Sequence, residues 1–334
     1  MHPASTTKLL TAILLVENTS PNEQIVATES CEKVIGSSLR LKPGERVSSA
    51  DMLKAIMLRS ANDACHSIAL HIAGSEKAFA EKMNSRAKAL GARNSTFTNP
   101  HGLTAEGHRS TAFDLAMIGK AALIVPEIAE VAQLQEASIT RSVDQTFTKF
   151  ENRNRFLKHD PTATGLKTGY TLAAGNTFVG SVKRGEQTII TSILSSKDWF
   201  QDQINMTEWA FSNLSVQDLT IEGTEFQKLP VLNGVEREVQ VVFGASFSAL
   251  ATPGGRDLNP VARFTPNLEA PIRAGQRVGT LTFSDGHGWK QDVPLVAGKD
   301  VARWSPIGIL AWAGILFLCT ALGVVSLRRG RRSG

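Results

Sequence analysis

The sequence predicts a mixed α/β (α+β) domain over residues 1–213, a small all-β domain over 215–300, and a transmembrane helix over 304–327 with a basic tail at 328–334. Three observations carry this. Apolar residues recur at helical spacing in the first 125 residues and give way to β-like alternation from about residue 164. After about Leu214, short β-like runs such as REVQVVF and RVGTLTF are separated by Gly, Pro and Asn. Residues 307–327 form an uncharged apolar run. With 334 residues there is length for about two domains, and 42% hydrophobic content is ample for a core.

The opening segment HPASTTKLLTA predicts a helix from about Pro3, since proline is well tolerated in a first turn. Ser5 and Lys8 are then i and i+3 on one face, while Leu9, Leu10, Ile13, Leu14 and Val16 supply an apolar one. A serine in the first turn lies where free N–H groups and the helix dipole favour negative charge on its oxygen. A desolvated lysine beside it can lose its proton and act as base. An isolated S-x-x-K is equally a capping serine followed by an exposed lysine, so the remaining motifs must decide.

Ser48 to Asp51 has the form of a capping box opening the next helix, in which Met52, Leu53, Ile56 and Met57 lead to Ser60, Ala61 and Asn62. Ala64, Cys65, Ile68, Ala69 and Ile72 continue the pattern beyond. A polar S-x-N step between two apolar helices packs badly unless it faces a cleft. Gly74 and Gly91 read as helix stops, and 112–125 as another amphipathic helix. Lys167, Thr168 and Gly169 then stand at the start of β-like alternation, where a glycine lets a ligand approach the strand closely. Residues 176–194 read as a hairpin turning at KRGEQ, and 198–213, with Trp199, Ile204 and Trp209, as a closing helix. Each tripeptide is weak alone, but the three occur in this order, roughly 50 and then roughly 100 residues apart.

On these motifs the sequence resembles the low-molecular-mass penicillin-binding proteins, serine-type D-alanyl-D-alanine carboxypeptidases, from about residue 2 to residue 213. GSSLRLKPGE at 36–45, NPHGL at 99–103, GHRSTAFDL at 107–115 and ENRN at 151–154 extend the likeness. The resemblance implies a transpeptidase-like domain, a β-sheet flanked by helices, that removes the terminal D-alanine from peptidoglycan stem peptides and is acylated by β-lactams. It implies Ser5 as nucleophile and Lys8 as its base. Ser60, with Lys167, would relay a proton to the departing D-alanine, and Asn62 would hold the substrate amide. Lys167 and Thr168, in the motif closed by Gly169, would face the terminal carboxylate with help from Arg153. The backbone N–H groups of Ser5 and Tyr170 would form the oxyanion hole.

Two alternatives stand beside this reading. A class A β-lactamase shares the motifs, but position 61 is Ala rather than Asp, and no E-x-x-x-N lies between Asn62 and Lys167 to activate a deacylating water. The other is an inactive peptidoglycan-binding or scaffolding protein. No signal peptide precedes Ser5, and the stretch that family members carry before S-x-x-K is absent; Met1 is therefore expected to be an internal methionine of a longer gene, with a truncated chain as the alternative.

Of the formal charge of +5, Arg328, Arg329, Arg331 and Arg332 account for four, which leaves no nucleic-acid footprint. Cys31, Cys65 and Cys319 form no framework. Cys65 reads as a buried small hydrophobe, with a Cys31–Cys65 disulfide as the alternative. No histidine spacing suggests a metal, His101 and His108 read as structural, and no cofactor is expected. The β region carries no catalytic constellation and reads as a spacer, a docking module or a structural appendage, placed as the family's C-terminal β-domain is. The run 307–327 would span roughly 30 Å at about 1.5 Å per residue, with Trp304 at one interface. The RRGRR that follows would stay cytoplasmic and place residues 1 to about 303 on the periplasmic or extracellular face.

Overall fold

The computed structural model describes residues 1–143, 148–251, 258–284 and 290–305. The chain divides into two compact units, Met1–Ser212 and Asn213–Gly334.

The first unit is built around one helix. A short 3-10 turn, Ala4–Thr7, runs into α1, Lys8–Asn18, in which every residue from Lys8 to Leu15 is buried. The expected helix from Pro3 is thus split. Its first turn is wound more tightly, with Pro3 at its cap position and Ala4 at φ 50°, a left-handed value that alanine adopts only under constraint. After the short antiparallel pair β1 (Gln24–Val26) and β2 (Arg46–Ser48), Ser48 caps α2 (Ser49–Lys54) by accepting from the Asp51 N–H, as the sequence pattern anticipates. A π-helical turn, Ala55–Arg59, follows and ends at Ser60 in the left-handed region.

Next come α3 (Asn62–Ala73), closed by left-handed Gly74, and α4 (Glu76–Ala89), followed by Gly91 at φ 88°. α5 (Ala112–Ile124) is capped by Thr111, and α6 (Pro126–Gln133) starts on a proline. Beyond the small pair β3 (Glu136–Ser138) and β4 (Lys149–Glu151) and the short α7 (Phe156–His159) lies an antiparallel sheet. Its strands β5 (Ala163–Thr171), β6 (Gly175–Arg184) and β7 (Gln187–Ser196) are ordered β5-β6-β7, and the β6–β7 turn falls in the expected KRGEQ. α8 (Trp199–Asn213) closes the unit. It is the expected closing helix: Gln203, Thr207 and Ala210 are buried and Trp199 and Ile204 pack against the Phe156–Phe178 cluster, while Trp209 is exposed.

α1 touches α3, α4, α5 and α6, and its leucines join Ile56, Met57, Cys65, Ile68 and Leu166 in one core. Cys31 and Cys65 are both buried and free, so the disulfide alternative is not realised. Two charged groups organise the 38–46 segment beside this core. The Asp63 carboxylate accepts from the Leu39, Leu41 and Ala64 N–H groups and from Ser38 Oγ. Arg141 pairs with Glu45, 2.7 Å from Nε to Oε1 with both side chains fully buried, and donates to the Leu39 carbonyl.

The second unit is all-β. One antiparallel sheet has the order β12-β13-β14-β10-β9, and β8 (Ser215–Thr220) pairs with β11 (Phe247–Ala251). The five-stranded sheet comprises β9 (Glu225–Pro230), β10 (Glu238–Phe243), β12 (Val261–Phe264), β13 (Arg277–Ser284) and β14 (Lys290–Ala297). Alternate residues such as Val239, Val241, Leu281, Val293 and Leu295 form its core, the period-2 pattern that the sequence displays.

One part of the expected fold class is corrected. Among the described residues no helix is long and apolar enough to cross a membrane. The longest, α8, has 15 residues and spans roughly 22 Å against a hydrocarbon core of roughly 30 Å. The expected span at 307–327 lies outside the described residues. The fold is therefore an α+β unit followed by a β unit.

Removing one partner of a buried ion pair leaves an uncompensated charge. Arg141→Met should accordingly destabilise the first unit by roughly 3–5 kcal/mol, measured by urea unfolding followed through a probe within that unit. A loss below about 1 kcal/mol would show that the Glu45–Arg141 pair is dispensable.

Candidate active site

The centre of the site is Lys8. Its side chain is completely buried at the first turn of α1, and its ammonium donates to Ser5 Oγ at 3.0 Å, to Asn62 Oδ1 at 2.7 Å and to the His101 carbonyl at 2.6 Å. An ammonium has three protons, and all three find an acceptor. Burial lowers the Lys8 pKa to about 8; the Arg153 charge pushes the same way, and Cys65 and Asp63 push against it. Such a group can carry a proton or give it up near neutral pH.

Each acceptor is positioned by a different element. Ser5 lies in the 3-10 turn one turn ahead of Lys8. Asn62 opens α3 immediately after the π-helical turn and the left-handed Ser60. Its amide donates to the Ile35 carbonyl at 2.8 Å, and its backbone N–H donates to the Ser37 carbonyl at 2.6 Å. His101 belongs to the loop Asn99–Leu103. There Asn99 Oδ1 accepts from the Gly102 N–H at 2.7 Å, and Asn99 Nδ2 donates to the Leu103 carbonyl at 2.9 Å. Thr11 Oγ1 ties this loop to α1 by donating to the Pro100 carbonyl at 2.6 Å.

Two glycines let the backbone close around Ser5. A Cβ on Gly102, which has φ +86°, would lie 1.8 Å from the Ala4 carbonyl oxygen, so only glycine fits there. On β5, a Cβ on Gly169 would lie 2.7 Å from the Ser5 nitrogen and 2.4 Å from Thr177 Oγ1. Thr177 itself donates to the Pro3 carbonyl at 2.9 Å, fastening the turn to the sheet. The other end of the turn is held by His108. Its Nδ1 accepts from the Thr98 N–H at 3.0 Å, which leaves Nε2–H to donate to Thr7 Oγ1 at 2.9 Å. Burial lowers the His108 pKa to about 4, so this tautomer stays neutral. The structural role expected for His101 and His108 is what the contacts show.

Gly169 on β5 meets the Ser5 turn, and strand alternation puts Lys167 on the same side. Lys167 is buried, donates to the Thr168 carbonyl at 3.1 Å, and is held well below the ordinary lysine range by burial first and by Lys8 and Arg153 next. Tyr170 is 61% exposed. Arg153, just after β4, donates from Nη1 to Ser37 Oγ at 2.6 Å, on the same segment that receives Asn62. Ser60 is 2% exposed, and among the described residues no hydrogen bond joins it to Lys167.

The structure thus ties Ser5, Lys8 and Asn62 together directly, and brings Gly169 against Ser5 and Arg153 against the Asn62 strap. Among the described residues no hydrogen bond joins Ser60 or the Thr168 side chain to Ser5, Lys8 or Asn62. Sequence reasoning missed the His101 carbonyl, Gly102, Ser37 and Asp63. The signals available were NPHGL and GSSLRL, but a backbone carbonyl that serves as ligand leaves no residue type to read. Chemically, the arrangement offers a serine hydroxyl beside a depressed lysine, a backbone N–H left open by a glycine, and a cationic floor that suits a carboxylate.

Comparison with known proteins agrees with this geometry. Residues 1–198 match the family model described as D-alanyl-D-alanine carboxypeptidase, and residues 215–303 match that of the penicillin-binding protein 5 C-terminal domain. The chain is 32% identical over 314 residues to D-alanyl-D-alanine carboxypeptidase DacF of Bacillus subtilis, covering 91% of this chain and 80% of the relative. It is 32% identical to DacC of Escherichia coli, covering 90% of this chain and 78% of the relative. The crystal structure of penicillin-binding protein 5 from Haemophilus influenzae superimposes with a TM-score of 0.72 at 25% identity, covering 91% of each chain. With the family model matching more than half of its length, and with a serine and a depressed lysine at its centre, the chain belongs to the serine-type D-alanyl-D-alanine carboxypeptidases among the low-molecular-mass penicillin-binding proteins.

Proposed function

We propose that Ser5 is the acylated residue and Lys8 its base, in a reaction that removes the terminal D-alanine from peptidoglycan stem peptides. The observation that carries the assignment is the 3.0 Å contact between Lys8 Nζ and Ser5 Oγ inside a site that holds the lysine pKa near 8. In the free-amine form, Lys8 accepts the Ser5 proton as Oγ bonds to the carbonyl carbon of the penultimate D-alanine. The resulting oxyanion lies between the backbone N–H groups of Ser5 and Tyr170, a reading supported by the missing side chain at Gly169 beside the Ser5 nitrogen. Collapse breaks the peptide bond, and the departing amine takes a proton passed through Ser60 with Lys167. Water then cleaves the ester on Ser5.

The remaining residues take the substrate's polar groups. Asn62 receives the amide; Lys167 and Thr168, assisted by Arg153, receive the terminal carboxylate. Lys167 is buried and held well below the ordinary lysine range, partly by the Arg153 charge, so an incoming carboxylate would supply it with a counter-charge. The same serine would open a β-lactam ring, and no E-x-x-x-N carboxylate lies between Asn62 and Lys167 to activate a deacylating water. A penicilloyl ester is therefore expected to persist, which makes the protein a β-lactam target acting on the outer face, where peptidoglycan lies.

Three outcomes check this reading. Ser5→Ala should abolish covalent labelling by a fluorescent penicillin while the protein stays folded, and surviving label would remove Ser5 from its role. Raising pH populates the free amine of Lys8, so the acylation rate should rise by about tenfold from pH 7 to pH 9 and level off above. A rate that falls over this interval would contradict Lys8 as base. Gly169→Ala should slow acylation by about 100-fold or more and also lower the melting temperature, because the new methyl crowds the Ser5 N–H and Thr177; an unchanged acylation rate would show that the close approach at Gly169 is not needed.

A further inference from the structure

A line of polar side chains joins the 3-10 turn Glu29–Lys33, α3, α4 and the Asn99–Leu103 loop that supplies an acceptor to Lys8. Ser30 Oγ and His66 Nε2 are 2.7 Å apart, and His66 Nδ1 lies 2.7 Å from Glu76 Oε1. The same Glu76 oxygen stands 3.5 Å from His101 Nε2. His101 Nδ1 accepts from the Leu103 N–H at 3.2 Å, so the neutral ring carries its proton on Nε2, facing the carboxylate. The carbonyl of this histidine is the 2.6 Å acceptor on Lys8. Burial would raise the Glu76 pKa, but its bonds to His101 and His66 outweigh that and lower it to about 2, so it is an anion at every working pH. Glu76 itself is fixed in the first turn of α4, where Ser75 Oγ accepts from the Ala78 N–H at 3.1 Å.

We propose that Glu76 is a positioning residue for the reaction: standing 3.5 Å from His101 Nε2, its carboxylate draws the ring proton to that nitrogen, selects the imidazole tautomer that receives the Leu103 N–H, and so holds the His101 carbonyl on Lys8. Without that carboxylate the ring can turn or take the other tautomer, Leu103 loses its acceptor, and the carbonyl drifts from the ammonium. A hydrogen bond to the ammonium favours the charged form, so its loss lowers the pKa of Lys8 further and displaces the amine from Ser5. The groups that otherwise face Lys8, namely Asp63 and Cys65 on α3, Arg153 after β4 and Lys167 on β5, are unchanged by a substitution at position 76. The inference rests on Lys8 being the base.

Acylation by a fluorescent penicillin, measured on the folded protein across pH, tests it. Serine is well tolerated at a helix start but is too short to reach His101. Glu76→Ser should cut the saturating acylation rate by about tenfold or more, move the rising pH limb down by about half a unit or more, and leave reversible penicillin binding within about twofold. Glu76→Gln, whose amide oxygen still accepts from Nε2–H, should restore rate and limb. A folded E76S protein with normal rate and limb, or one that loses rate with its limb unmoved, overturns the proposal; so does an E76Q protein as impaired as E76S. In the unsubstituted protein, 15N NMR must find His101 protonated on Nε2, and protonation on Nδ1 overturns the proposal with no variant at all. Lys8→Ala separates the premise: if that variant acylates normally, the base assignment fails rather than the role of Glu76.

Discussion

A lysine ammonium withdrawn completely from water, with its three protons on Ser5 Oγ, Asn62 Oδ1 and the His101 carbonyl, is the constraint on which the rest of the first unit depends. Burying a charge without partners costs several kcal/mol, so the three acceptors have to arrive together. They come from residues 5, 62 and 101, and each is delivered by a segment with its own reason to be irregular. Ser5 sits in a 3-10 turn that begins with a left-handed alanine. Asn62 follows a π-helical turn and a left-handed serine. His101 sits in a loop closed by its own Asn99. Irregular backbone of this kind persists where surrounding contacts over-determine it, and here those contacts converge on one amine.

The same constraint explains the traffic around the site. The Ile35–Ser37 segment must stay over Asn62, and Asp63 and the Glu45–Arg141 pair hold the chain that follows it. The nucleophile turn must lie against β5 with no side chain intervening, hence Gly169, and against the Asn99–Leu103 loop, hence Gly102. Lys167, buried on the same side of β5, adds a second cation to a place already short of water. Two buried cations with a third, Arg153, nearby disfavour one another.

Much of this was legible in the sequence, for identifiable reasons. Ser5, Lys8, Asn62, Lys167 and Gly169 could be named because their chemistry resides in side chains, or in the lack of one, at recognisable spacings. The capping serine at 48, the stops at Gly74 and Gly91 and the hairpin turn at Gly185 follow local rules that the tertiary structure does not override. The π-helical turn before Ser60 was not legible, since it arises from where α2 and α3 must lie rather than from propensity. Nor was the His101 carbonyl, which any residue could supply. Trp209 was expected to help close the unit, yet α8 buries Gln203, whose side chain meets Thr191 on β7, and turns the tryptophan outward.

The central claim is that the protein keeps Lys8 poised between its two protonation states, and direct titration of that amine tests it. With lysines labelled at the carbon next to the amine, and with the Lys8 resonance assigned by its loss in Lys8→Ala, NMR across the alkaline range follows the group itself rather than the reaction. The account predicts a midpoint near 8, lowered by burial from the ordinary lysine value of 10.5. A midpoint at or above about 10, where an exposed lysine titrates, would contradict it.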